Sequence, residues 1–401
     1  STLGMIYQKK DMHRQAIENY QKALELDPQQ ADVLAALGES QAASGQTNEA
    51  IITYEQVLMM NPKATKEYKA LGDLYMKAGK TEQAMKAYGK YMENVPRDNE
   101  VAKTVGMHYV RRKQWAEAVK NLEKISGKEA QDFELLLTMG EAYLNLKDYD
   151  KVIQTYEGLK RRNPNLESLK MIYRSLGEAY EAKGNKTKAA DAYASYIGLQ
   201  GVRDADAAYK VALLQEKTNP AAAKRIYEKN TTTYPSDYRN YLRLGLMYAE
   251  DKATLDKSVA MFNRITSMAD SIPLIWLKLA EVYGKQGKKD QELEAYRAYI
   301  KAEPQNPKAN KRIGMILVEN RKYKEGLIYL ETASTLAPKD PEVLKALARG
   351  YSGTARPEEA IKALVKAKAL EPKDLELRRE LYRLYRRTGQ QREAKQEIEE
   401  L

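Results

Sequence analysis

Acid–base and nucleophilic chemistry near neutral pH usually rests on an imidazole, and this chain carries only two, His13 and His108. They stand far apart in the sequence, and neither has the Ser/Asp company that a triad needs. Cysteine is absent, which excludes disulfides and thiolate zinc sites. Gly79-Lys80-Thr81 has the form of the tail of a phosphate loop. The glycine that such a loop needs five residues earlier is Leu74, and no strand is expected before it. Paired carboxylates are plentiful, as on any charged helix, and none is expected in an apolar setting that would raise its pKa for acid catalysis. Asn185-Lys186-Thr187 and Asn230-Thr231-Thr232 fit the glycan acceptor pattern, which has meaning only on a eukaryotic secretory route. The sequence therefore predicts no catalytic residue, no cofactor and no metal.

What the residues do show is a period. Pro28, Pro62 and Pro96 stand 34 residues apart. Before each, the chain runs through Leu-Gly (Leu3-Gly4, Leu37-Gly38, Leu71-Gly72) and then Ala-x-x-x-Tyr (Ala16/Tyr20, Ala50/Tyr54, Ala84/Tyr88). Apolar residues at i, i+4, i+7 predict two amphipathic helices per unit, A and B, joined by a turn with Gly, Asn or Lys. The small residue at the eighth place of each unit lets B approach A closely. Units are expected at 1–30, 31–64, 65–98, 99–132, 133–169, 170–203, 204–237, 238–272, 273–306, 307–340, 341–374 and 375–401. In such a stack each unit touches only its neighbours, so His13 and His108, about three units apart, cannot share a site.

Tyr is abundant (29) and Phe nearly absent (2), so Tyr is read as the packing aromatic, with its ring inside and its hydroxyl near the rim. Tyr91, Tyr196 and Tyr299 recur every third unit, each three residues after a helix-B Tyr, and offer themselves as equivalent contact points. Departures cluster in the middle: three extra residues at 167–169, a shortened turn in 204–237, an extra residue before Ser258, and a loop at 266–272 without its closing Pro. These define an N-terminal array (1–203), degenerate units that could act as a hinge (204–272), and a C-terminal array (273–401).

The pattern resembles the tetratricopeptide repeat family over nearly the whole chain. Its fullest match is Trp276, Leu279, Ala280, Tyr283, Tyr296, Tyr299 and Pro304. The resemblance implies an all-α, right-handed superhelix of eleven to twelve helix pairs. It also implies that helix A lines a concave face through its second, fifth, sixth, ninth, twelfth and thirteenth places. Carried over, this gives an apolar stretch with Lys103, Met107, Val110 and Leu137, and a central stretch with Arg239, Leu242, Arg243 and Leu246. The C-terminal stretch is basic: Lys308, Lys311, Arg312, Lys345, Arg349, Arg379, Arg383, Arg386 and Arg387. Arg grips carboxylates with two parallel hydrogen bonds, so this end is expected to take an acidic peptide or a chain's C-terminal carboxylate. Lys311 matches the first Lys of the family's chaperone-tail clamp, but Met315 and Arg349 stand where its asparagines belong.

The expected function is a non-catalytic scaffold or adaptor holding a partner polypeptide, in a setting such as a bacterial cell-envelope assembly, pilus or secretion complex. Two alternatives remain. One is a nucleic-acid-binding solenoid, which needs a continuous basic stripe that Glu39, Asp73, Glu141, Glu178 and Glu281 break; the net charge of +11, with Lys and Arg interleaved among Asp and Glu, reads as a solvated helical surface. The other is the regulatory part of a larger enzyme. Ser1 begins the chain and Leu401 ends it where mid-helix belongs, so an internal fragment is expected. A cysteine-free chain suits a bacterial periplasm, a cell envelope or the cytoplasm, and localisation stays open.

Overall fold

The computed structural model describes residues 1–268 and 272–399. Among these the chain is all-α, with 24 α-helices, two short 3-10 turns and no strand. It divides into two compact units, Ser1–Val202 and Arg203–Leu401.

The first unit stacks α1 (Thr2–Lys9) with α2 (His13–Leu26), α3 (Ala31–Ala43) with α4 (Thr47–Met60), and α5 (Thr65–Lys77) with α6 (Thr81–Asn94). It continues through α7 (Asn99–Arg111) with α8 (Trp115–Leu122), α9 (Phe133–Asn145) with α10 (Tyr149–Lys160), and α11 (Leu166–Ala182) with α12 (Lys186–Ile197). The second unit stacks α13 (Ala205–Gln215) with α14 (Pro220–Thr233), α15 (Tyr238–Tyr248) with α16 (Leu255–Thr266), and α17 (Pro273–Gln286) with α18 (Lys289–Ile300). It ends with α19 (Pro307–Glu319) and α20 (Tyr323–Leu336), α21 (Pro341–Gly353) and α22 (Pro357–Leu370), and α23 (Leu375–Arg387) and α24 (Gln391–Glu399).

Many of the A helices start at a capping residue that the sequence supplies. The carboxylates of Asp98, Asp132, Asp204, Asp340 and Asp374 accept first-turn backbone N–H groups, as does the side-chain carbonyl of Asn306. These bonds satisfy donors that a helix start leaves orphaned. Pro273, Pro307 and Pro341 occupy the first helical place, where the missing N–H costs nothing.

In seven of the twelve pairs a glycine on A meets a ring or Leu sixteen residues later on B. A Cβ added to Gly72 would fall 2.5 Å from the Tyr88 ring, and one added to Gly140 would fall 2.3 Å from Tyr156. Gly4/Tyr20, Gly177/Tyr193, Gly106/Leu122 and Gly314/Leu330 repeat the relation. In α15–α16 the spacing is seventeen, Gly245 to Phe262. The extra residue is absorbed by the 3-10 turn Lys252–Thr254.

The fifteenth place of most units closes the A–B turn in the left-handed region. Gly45, Gly79, Gly184, Gly287 and Gly389 fill it without strain, whereas Lys113, Lys147, Arg321 and Ala355 adopt the same conformation with a Cβ.

Two local features depart from the regular unit. The three extra residues at 167–169 lengthen α11 by a turn. Helix α8 stops after eight residues, and the chain then turns through Gly127 at φ +69°. Asn99 holds this segment by a reciprocal pair with the Ser126 backbone, at 3.0 and 3.1 Å. The loop expected at 266–272 falls partly, and the chain end at Leu401 wholly, outside the described residues.

The tyrosines do more than pack. Tyr143 donates to Glu123, Tyr180 to Glu157, Tyr248 to Glu228 and Tyr351 to Glu331, at 2.7–3.0 Å, and Tyr75 bonds Glu55 in the same way. Each bond joins a helix A to the helix B before it, so the hydroxyls tie successive pairs together. Burial first and the bonded carboxylate second push the Tyr75, Tyr180, Tyr248 and Tyr351 hydroxyls up to about 12.

A candidate partner-binding surface

The second unit holds most of the predicted basic row. Its cations divide into two groups by what they already hold. Lys311, at the fifth place of α19, reaches the start of the next A helix and bonds Asp340 at 2.8 Å and Glu342 at 2.5 Å. Lys345, at the fifth place of α21, repeats this with Asp374 and Glu371, both at 2.6 Å. Arg312 grips the buried Glu292 with Nε at 2.5 Å and Nη2 at 3.0 Å. Lys308 bonds Glu281 at 3.1 Å, and Arg379 bonds Glu376 at 2.7 Å. Each of these five cations is bonded to one of the protein's own carboxylates, Lys311, Lys345 and Arg312 in partly buried settings and Lys308 and Arg379 at the surface.

Arg349 and Arg383, at the ninth place of α21 and of α23, are exposed and form no ion pair among the described residues. Arg386 lies over the Tyr382 ring at 6.0 Å, and Arg387 is exposed on the next residue. Arg349 also lines a cleft of about 420 Å³ together with Met315, Val318, Tyr323, Ala346 and Glu380. Glu380 corrects the expectation that no carboxylate sits in an apolar setting. Burial raises its pKa, and the pull of Arg349 and Arg383 does not cancel that rise.

The central cations are also occupied. Arg239 bonds Asp206 and Asp237 at 2.7 and 2.9 Å and stacks on Tyr209, and Arg243 pairs with Glu216.

In the first unit, Lys103 is exposed on α7, with Met107 and Val110 half-buried beside it. Leu137 is only 9% exposed, and the Tyr156 hydroxyl bonds its carbonyl. It is therefore wall rather than an offered anchor, in a cleft of about 660 Å³ that also takes in Glu134, Glu141, Leu144 and Met171. A second cleft, of about 700 Å³, lies along α3 and α5 among Ala35, Ala36, Glu39, Lys66 and Asp73.

Tyr91 and Tyr299 do not serve as contact points. They are 8% and 7% exposed. The Tyr91 hydroxyl donates to Asp98 at 2.8 Å, and that of Tyr299 accepts from Asn306 at 3.1 Å, so both hold the cap of the next A helix. Tyr196 lines the α9–α11 cleft.

Gly79-Lys80-Thr81 forms the turn between α5 and α6. Asn230 is 4% exposed and donates to Ala208 and Asn240, which removes it as a glycan acceptor. Asn185 caps α12. Among the described residues no group of three or more His, Asp or Glu could hold a metal, and no helix is long and apolar enough to cross a membrane.

Several solved structures are similar at low identity. The Naa15/Naa10 complex bound to HypK-THB is 15% identical, covering 98% of this chain and 66% of that one with a TM-score of 0.33. YrrB, described as a TPR protein with an unusual peptide-binding site, is 19% identical over 47% of this chain and 96% of its own, with a TM-score of 0.41. A tetratricopeptide repeat protein from Parabacteroides merdae is 14% identical over 63% and 98%, with a TM-score of 0.39. No curated protein matches the chain. One tetratricopeptide repeat profile matches residues 152–376, more than half of the chain, and a second matches residues 9–72, 43–106 and 109–176. With its Gly-to-ring meshing and its paired helices, the chain belongs to the tetratricopeptide repeat family.

Proposed function

We infer that the protein is a non-catalytic scaffold whose A-helix faces hold a partner polypeptide, and that α21 and α23 take an acidic segment or a chain's C-terminal carboxylate. The observation that carries this reading is the contrast within the basic row. Lys308, Lys311, Arg312, Lys345 and Arg379 are neutralised internally, while Arg349 and Arg383 recur at the same place of successive A helices without an ion pair. Two arginines in one repeat register, above a cleft with apolar walls, suit a peptide carboxylate. The same neutralisation argues against nucleic acid, which needs an unbroken row of free cations. A bacterial cell-envelope assembly, pilus or secretion complex is the setting that the family resemblance suggests. Pull-down with the intact chain and with an Arg349→Glu/Arg383→Glu variant tests the reading. Salt-sensitive capture of a partner that the variant loses supports it, and equal capture by both refutes it.

A further inference from the structure

The cleft between α19, α21 and α23 holds a carboxylate that no structural role absorbs. Asp340, Asp374 and Glu292 each carry a cation at 2.5–2.8 Å. Glu319, on the rim of the same cleft, is bonded by Lys289 at 2.7 Å. Glu380 has no such partner among the described residues, although it is half-buried and lines the cleft. The charged groups around it are Arg349 across the cleft, Arg383 one turn along its own helix, and Asp374 at the start of that helix. Asp374 is held by Lys345. The apolar part of the lining comes from Met315, Val318, Ala346 and the Tyr323 ring. On the same wall the Ser352 hydroxyl is buried without a hydrogen-bond partner, and such a group gains when an incoming polar atom meets it.

We propose that Glu380 sets the specificity of this cleft. The bound segment places an apolar side chain inside, beside Glu380, and a carboxylate outside, on Arg349 and Arg383. A second carboxylate in a cleft of about 420 Å³ would face Glu380 at short range with little water between, and like charges brought together there cost heavily. An aliphatic side chain meets Met315 and Val318 and loses its own water. The partner is thus an acidic peptide interrupted by an apolar residue, rather than a run of carboxylates. This inference rests on the acidic-segment reading above and adds to it the order of residues in that segment.

Two fluorescein-labelled peptides test it by anisotropy: a hexaglutamate, and the same peptide with one central glutamate replaced by leucine. The native chain should bind the leucine peptide roughly tenfold more tightly, from the burial of one aliphatic side chain and the avoided repulsion. The isosteric Glu380→Gln should narrow that preference, chiefly by a gain of about threefold or more for hexaglutamate. Equal binding of both peptides by the native chain overturns the proposal, as does an unchanged preference in Glu380→Gln. Arg349→Glu separates the two ideas. It should weaken both peptides alike. If it alters neither, or if neither peptide binds the native chain, the acidic-segment reading falls and takes this one with it.

Discussion

Lys345 Nζ lies 2.6 Å from Asp374 Oδ2, and the same carboxylate caps α23 by accepting from the Leu377 amide at 3.1 Å. Lys311 and Asp340 stand in the same relation one repeat earlier. A lysine of one repeat therefore bonds the carboxylate that caps the start of the next. Asp374→Ala should cost about 1–2 kcal/mol, mostly as a lost cap, with the half-exposed ion pair adding a fraction. Lys345→Met should cost less than about 1 kcal/mol. Urea unfolding midpoints check both, and the order of the two costs is the informative result.

The glycines of the A helices predict opposite outcomes for one chemical change. Gly140→Ala should destabilise by roughly 1–3 kcal/mol, because its Cβ would fall 2.3 Å from the fully buried Tyr156 ring. Gly89, inside α6, has open space around it, so Gly89→Ala should stabilise by about 0.5–1 kcal/mol through helix propensity. Thermal melting of the two variants side by side decides this.

Ala355 occupies the A–B turn at φ +59°, where five other units place glycine. Ala355→Gly should gain about 1 kcal/mol by relieving the left-handed strain. A loss of stability would mean that the neighbouring Thr354 and Arg356 contacts depend on the methyl group.

Stability should fall on acidification. Lys345 first, with the Leu377 amide, holds the Asp374 carboxyl below its usual range. At Asp340, Glu123 and Glu281, burial acts upward but is outweighed by bonds from Lys311, Lys151 and Lys278 respectively. A carboxylate whose folded pKa is lowered contributes stability above its unfolded value, about 4, and that stability is lost as pH falls through the folded pKa. Glu380 has the opposite sign. Its folded pKa is raised, so its favourable share is present below the unfolded value and lost as pH rises through the folded one. Asp98, Glu157 and Glu359 are lowered as well, so the lowered carboxylates outweigh Glu380 and predict a net loss below about pH 4. Glu380→Gln should be slightly more stable than the native chain at neutral pH. Circular dichroism melts across pH 3–8 test both statements.

The helix pairs were legible because each level of the sequence agreed. Leu-Gly marks the A face, Ala-x-x-x-Tyr the B face, and Pro the close of the unit. The shortening of α8 had a signal in Ser126-Gly127, where other units continue their B helix. The Tyr-to-Glu ties were not legible. Tyr143 and Glu123 lie on different repeats, and only the stacked geometry brings them to 2.9 Å. The same limit applied to the basic row. Lys311 and Arg349 look alike as inward cations, and what separates them is that Asp340, 29 residues on, bonds Lys311, whereas Glu380 faces Arg349 across the cleft without forming an ion pair with it. Glu380 was missed because its neighbours Met315, Val318 and Ala346 come from two other A helices.

The central claim is that the cations left unpaired on α21 and α23 are the ones a partner uses. It is tested most directly by measuring the affinity of the leucine-containing acidic peptide for two charge reversals, Arg383→Glu and Lys311→Glu, at low and physiological salt. The account predicts that Arg383→Glu lowers affinity by about tenfold or more, with a weaker salt dependence, while Lys311→Glu chiefly lowers stability. A larger loss of binding at Lys311 than at Arg383 would contradict it.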